Sequence, residues 1–199
     1  MPGVSIQTAV RVGPNAATSV ETSQMFAVGY AARGPVNTAK FVTSLEEFKE
    51  IYGAYNNSYL YPVVESFFEE GGTRAYIARV ADPAATIGTK TLSAGGVGGA
   101  ELIKIYANGP GAWSSAVTVE VVNPGTGGSD FIIKIYDGGT LVYSTGNCTT
   151  VAQAVGRINS SIKASRLVTA TNIAGLAVTL PQNSAAAALS PGTADNSTN

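Results

Sequence analysis

Residues 59–80 read Tyr59-Leu60-Tyr61-Pro62-Val63-Val64-Glu65-Ser66-Phe67-Phe68-Glu69-Glu70-Gly71-Gly72-Thr73-Arg74-Ala75-Tyr76-Ile77-Ala78-Arg79-Val80. Leu60, Val63, Val64, Phe67 and Phe68 fall at i, i+3, i+4, i+7 and i+8, the wide apolar stripe of a helix that faces a core. Gly71-Gly72 stops that helix, and the strong β formers from Arg74 to Val80 predict a strand. The segments upstream fit the same scheme. Met25–Ala31 is a short apolar run closed by Arg33-Gly34-Pro35, which reads as a buried strand, and Lys40-Phe41-Val42 reads as a second. Ser44 and Glu47 have the spacing of a capping box, Leu45, Phe48 and Ile51 share a face, and Gly53 is placed to end a helix over 45–52 in the left-handed conformation. Helices and strands alternate, so residues 25–80 are expected to form a small α/β layer.

Past Val80 the composition shifts. Residues 81–99 are rich in Ala, Gly, Thr and Ser and end in Gly95-Gly96-Val97-Gly98-Gly99, the pattern of a linker or long loop. Strand patterns then dominate at 102–106, 117–121, 131–136 and 141–143, the last two separated by the hairpin signal Asp137-Gly138-Gly139. One helix interrupts them, opened by the capping box Thr150-Val151-Ala152-Gln153, with Val151, Val155, Ile158 and Ile162 on one side. Short strands at 166–171 and 173–180 complete a β-rich domain, and the tail has nothing to anchor it. At the other end, Val4, Ile6, Thr8, Val10 and Val12 recur at period two opposite Ser5, Gln7 and Arg11, a strand pattern tied only loosely to the rest by Gly13–Ser19. That strand could pair at home or reach a neighbour. The expected class is therefore α+β: an extended N-terminal arm and linker over 1–24, an α/β part over 25–80, a linker over 81–99, a β-rich sandwich or barrel-like domain with one helix over 100–180, and a flexible tail, or linker to a further C-terminal part, over 181–199.

Composition narrows the chemistry. The 199 residues carry twelve Lys+Arg against thirteen Asp+Glu, no histidine and one cysteine. Only 13% of the residues are charged, where a soluble domain ordinarily has about 25%. A chain with so little charge suits a subunit whose surface is covered by neighbours, because unpaired charge is costly to bury. Without histidine there is no Ser-His-Asp or Cys-His nucleophile and no imidazole-ligated zinc, and Cys148 alone makes neither an internal disulfide nor a thiolate cluster. The charge balance gives no basis for nucleic-acid binding, and no apolar run is long enough for a membrane helix. The start shows no basic region followed by an apolar stretch, so assembly in a cytoplasm is expected.

No single residue stands out as catalytic. The glycine clusters lack both nucleotide-binding spacings and read as turns. Glu46, Glu47, Glu50, Glu69 and Glu70 lie away from the apolar helix stripes and read as surface charge, not as a glycosidase pair. Trp113 sits between two strands, where it would either stack on a ligand or plug the end of its own domain, the second being favoured. Cys148, near a helix start with no base close in sequence, reads as structural. No catalytic residue, cofactor or metal ligand is expected.

The ordered series Pro2-Gly3-Val4, Val28-Gly29-Tyr30-Ala31-Ala32-Arg33-Gly34-Pro35-Val36, Val42–Phe48 with Tyr52-Gly53, Tyr59-Leu60 and Phe67–Val80 resembles the N-terminal part of contractile-tail sheath proteins of phages and related injection machines. Ala107–Ser115 is similar to that family's Pro-Gly-x-Trp-Gly-Asn segment, with Ser114-Ser115 where Gly-Asn is usual. The resemblance implies a non-enzymatic subunit that polymerises with copies of itself into a helical sheath of stacked rings around a tail tube. Contraction would drive the tube through a host envelope, with the sheath as part of the virion tail. It implies a tail tube protein, a baseplate and a tail terminator as partners, the tube contact lying in a C-terminal part not present in these residues. It further implies that the N-terminal arm adds a strand to a neighbouring subunit, for which Val4, Ile6, Val10 and Val12 are the corresponding contact residues. The competing reading of the same residues is a β-sandwich adhesin with Trp113 on a glycan platform, or another non-enzymatic virion module.

Overall fold

A computed structural model describes residues 23–54, 58–94, 99–123, 130–173 and 180–193. The architecture is α+β, built as two lobes with separate apolar cores. The first holds β1 (Gln24–Gly29), β2 (Lys40–Val42), α1 (Leu45–Tyr52), α2 (Leu60–Glu69) and β3 (Arg74–Arg79). Its three strands lie in the order β1-β3-β2, with β1 parallel and β2 antiparallel to β3. Both helices fall where the sequence predicts them. The Ser44 hydroxyl accepts from the Glu47 amide at 3.2 Å, and Gly53 ends α1 at a φ of 87°. The reach-back differs from the expected box, because Glu47 Oε2 accepts from the amide of Thr43, one residue before the cap, at 3.0 Å. Pro62 sits in the first turn of α2, where its missing N–H would have no helical partner in any case.

In the second lobe, β4 (Ile87–Ser93), β5 (Glu101–Pro110) and β9 (Val168–Asn172) form one antiparallel sheet in the order β4-β5-β9. The other sheet holds β6 (Val117–Val122), β7 (Ile132–Asp137), β8 (Thr140–Ser144) and β10 (Ser184–Ala188) in the order β10-β6-β7-β8. Ile103, Ile105, Val117, Val119, Val121, Ile133 and Ile135 are fully buried in one core with α3 (Val151–Ser160) and α4 (Ile162–Leu167). Strict alternation along β6 and β7 gives each strand one core face and one outer face. The β7–β8 hairpin turns on Gly138 and Gly139, both at positive φ as its sequence requires.

Four expectations are corrected here. Residues 81–99 are not all linker, since 87–93 form β4 along β5; the small residues there are compatible with a strand once a partner supplies the hydrogen bonds. The tail is anchored as well: β10 pairs with β6, and Leu189 is fully buried. The single expected helix is two, because Ser161 takes an extended backbone and its hydroxyl caps α4 by accepting from the Ala164 amide. α4 thereby takes residues 166 and 167 from the expected strand at 166–171, whereas most of the one at 173–180 falls outside the described residues.

Candidate functional site

The arm residues Val4, Ile6, Val10 and Val12 lie outside the described residues. What is described is the lobe that follows directly from the arm, and its sheet has helices on one face only. Met25, Ala27, Ala75, Ile77 and Val42 pack towards α1 and α2. On the opposite face, Phe26, Tyr76 and Phe41 stand in register across the three strands, and Val28 and Val80 extend the row. Phe26 is 65% and Val28 57% exposed. The reading of 25–31 as a buried strand is thus corrected: β1 is half-buried, because nothing among the described residues covers its second face. Sheets with parallel pairing are ordinarily covered on both faces, and an apolar row of this kind marks a contact surface.

The outer edge of β1 is also unpaired among the described residues. Beside it runs a groove of about 420 Å³, lined by Met25, Phe26, Val28, Tyr59, Leu60 and Val63. β1 brings a continuous uncharged edge, and α2 brings the far wall, since its apolar stripe is wider than the sheet can cover.

The lobes meet at Arg79. Its side chain is 2% exposed, and its guanidinium donates to the carbonyls of Ala31 at 3.1 Å, Gly34 at 2.8 Å and Pro110 at 3.2 Å. Gly109 lies against Gly34 at a φ of 143°, where a Cβ would collide with the Gly34 carbonyl oxygen. At the rim, Arg33 pairs with Asp137 at 2.5 Å, and Arg166 pairs with Glu47 at 3.2 Å and with Glu50. Two of the glutamates read as bare surface charge are therefore tie points between the lobes. Next to the junction, Tyr52 donates to the Ile77 carbonyl at 2.7 Å, and burial pushes its pKa up to about 12.

The remaining singled-out residues turn inward. Trp113 packs against the β-lobe core and donates to the Pro110 carbonyl at 3.0 Å, so it plugs its own lobe as the favoured reading had it. Cys148 is buried, with the Arg157 guanidinium 3.5 Å from its sulfur. No group of three or more Cys, Asp or Glu side chains is arranged to hold a metal ion among the described residues. The sequence reading missed Arg79, whose signal was a cation where the alternation of β3 demands a core position.

No protein-family model matches the sequence, and no curated protein matches it either. Solved structures do resemble it. A sheath tail protein from Listeria innocua superposes with a TM-score of 0.58 over 85% of this chain, at 15% identity. The fold is shared with sheath tail proteins. A second, from Desulfitobacterium hafniense, gives a TM-score of 0.54 over 97% of the chain at 12% identity. The chain spans 34% and 39% of the lengths of these two proteins, so it corresponds to little more than a third of either. The sheath-like fold thus includes the β lobe as well as the α/β lobe.

Proposed function

We propose that the chain is a structural, non-enzymatic subunit of a contractile tail sheath, polymerising with copies of itself around a tail tube in a virion assembled in the host cytoplasm. The observation that carries this is the likeness of fold to sheath tail proteins over 85% and 97% of the chain. The open apolar face of the β1-β3-β2 sheet and the low charge of the sequence support it, since both suit a surface meant for other subunits. The arm, through Val4, Ile6, Val10 and Val12, links one copy to the next by strand addition, which needs an extended backbone and alternating side chains. An assembly built in an extended, metastable arrangement then shortens as its subunits exchange smaller interfaces for larger ones, without nucleotide or cofactor. The tail tube, baseplate and tail terminator are the further partners.

The adhesin reading is weakened by Trp113, whose indole is spent on its own lobe. Deleting residues 2–12 tests the proposal: the variant is expected to fold with an unchanged melting curve and to sediment as a monomer, while the full chain forms long polymers under negative stain. Polymers of normal length from the deletion variant would remove the arm from the scheme, and a full chain that stays monomeric and binds glycan would replace the scheme altogether.

A further inference from the structure

One face of the β4-β5-β9 sheet lies in the β-lobe core, where Ile103, Ile105 and Ala107 of β5 are buried. Alternation turns Lys104, Tyr106 and Asn108 to the other face. There the register sets Thr89, Tyr106 and Thr169 side by side in one rank, and Thr91, Lys104 and Thr171 in the next. Thr169 and Thr171 are exposed, and the rest of the two ranks is half-buried. Where this face meets the first lobe it opens into a groove of about 440 Å³, which Tyr106, Asn108 and Thr169 share with Thr38 and Lys40. Val36, Ile87 and Pro110 give the groove an apolar lining.

The polar groups of the face are not engaged by the fold. Hydroxyls elsewhere cap helices, as those of Ser44, Thr150 and Ser161 do. Among the described residues, neither the four threonine hydroxyls of the two ranks nor the Tyr106 phenol has a hydrogen-bond partner. Asn108 donates its side-chain amide to the Ser165 carbonyl at 2.8 Å and keeps its side-chain oxygen as an acceptor. No Asp or Glu stands in either rank or lines the groove. Lys40 and Lys104 have no carboxylate partner among the described residues, and the Lys104 ammonium lies 5.4 Å from the centroid of the Tyr106 ring.

We propose that this face and its groove bind an anionic oligosaccharide, a short chain of sugar rings that carry carboxylates. Each part of such a ligand has a counterpart. Threonine hydroxyls both donate and accept, as sugar hydroxyls do. The ring of Tyr106 and the apolar lining of the groove suit the C–H faces of the sugar, and the two ammonium groups meet its carboxylates in charge-assisted hydrogen bonds. The groove is of a size with small-ligand sites, which run to about 300–1,000 Å³. A peptide adding as a strand has no place here. The central β5 is paired on both sides. On β9 the Asn159 side chain holds the Ala170 carbonyl and amide, and on β4 the amides of Gln182 and Ser190 hold the carbonyls of Ser93 and Thr89. Ranks of threonine also serve a packed protein interface poorly, since threonine is under-represented among the residues that carry binding energy there. The site goes beyond the sheath reading, and binding at it does not depend on whether copies polymerise.

Fluorescence anisotropy of labelled tetragalacturonate, titrated with the full chain, tests this. Saturable binding is expected, at least tenfold tighter than that of the neutral maltotetraose or of a tetraglutamate peptide. Lys40→Gln/Lys104→Gln and Tyr106→Ala are each expected to weaken it at least tenfold with an unchanged far-ultraviolet spectrum. If Tyr106→Ala unfolds, Thr171→Glu carries the same expectation, because it sets a carboxylate on the exposed edge of the face. An absence of binding refutes the site. Maltotetraose binding as tightly would remove the lysines from recognition, and tetraglutamate binding as tightly would make the face a surface for acidic peptide; either overturns the proposal. Folded Lys40→Gln/Lys104→Gln and Thr171→Glu that bind as tightly as the parent would place the sugar elsewhere and refute it as well.

Discussion

Replacing Arg79 by methionine keeps an unbranched apolar stem and removes the guanidinium that joins the lobes. Three carbonyl oxygens, on Ala31, Gly34 and Pro110, then lose a donor in a buried setting. A buried acceptor left without this partner costs about 1–3 kcal/mol, and relief from burying the cation offsets part of the sum, which leaves about 3 kcal/mol net. In urea, with a slope of about 2 kcal/mol per molar, the unfolding midpoint is expected to fall by about 1.5 M. Because each lobe has its own core, the loss should also spread one transition into two, followed separately by the fluorescence of Trp113 in the β lobe and by the tyrosines of the first lobe. A midpoint shift below about 0.5 M with unchanged slope and one shared transition would show that Arg79 does not hold the junction.

Gly109→Ala is expected to cost about 2–4 kcal/mol in the same assay, since the position combines a left-handed φ with a collision against Gly34. Tyr52 supplies a pH dependence. Its pKa is raised from 10.0 to about 12 by burial, so its contribution is complete below pH 10 and is lost as the unfolded chain ionises first between pH 10 and 12. The parent should lose about 2–3 kcal/mol more than Tyr52→Phe across that window, measured as the difference between their urea midpoints; parallel curves would deny the burial effect. Asn159→Ala removes two hydrogen bonds from the β9 edge and should cost about 1–2 kcal/mol while raising light scattering in stored samples. Unchanged scattering would mean the edge needs no guard.

Local chemistry made much of this architecture legible. The helix bounds of α1 follow from Ser44 and Gly53, and the hairpin from Asp137-Gly138-Gly139, because capping and positive φ are decided by neighbours in sequence. β4 and β10 were missed for the opposite reason. Runs such as Ser184–Ala188 have no strand signature of their own: β10 takes its order from β6, far away along the chain, and β4 from β5, the next strand, across the glycine-rich stretch that reads as a linker. The open face of β1 was likewise illegible: Phe26 and Val28 have the composition of core residues, and only the placement of both helices on one side of the sheet leaves them bare. Arg79 was visible as a residue but not as a joint, since the carbonyls of Ala31, Gly34 and Pro110 that accept from it come from two lobes.

Thr86 precedes the first strand of the β lobe and Thr193 follows its last, and there the two threonines grip each other, each amide donating to the other's hydroxyl at 2.8 Å. Tension applied between Thr86 and Thr193 is therefore short-circuited at that clasp. The sheets between the two points hang outside the load path, like a pendant on a closed ring. A lobe of this kind can ride along with a pull on its two ends without being stretched by it.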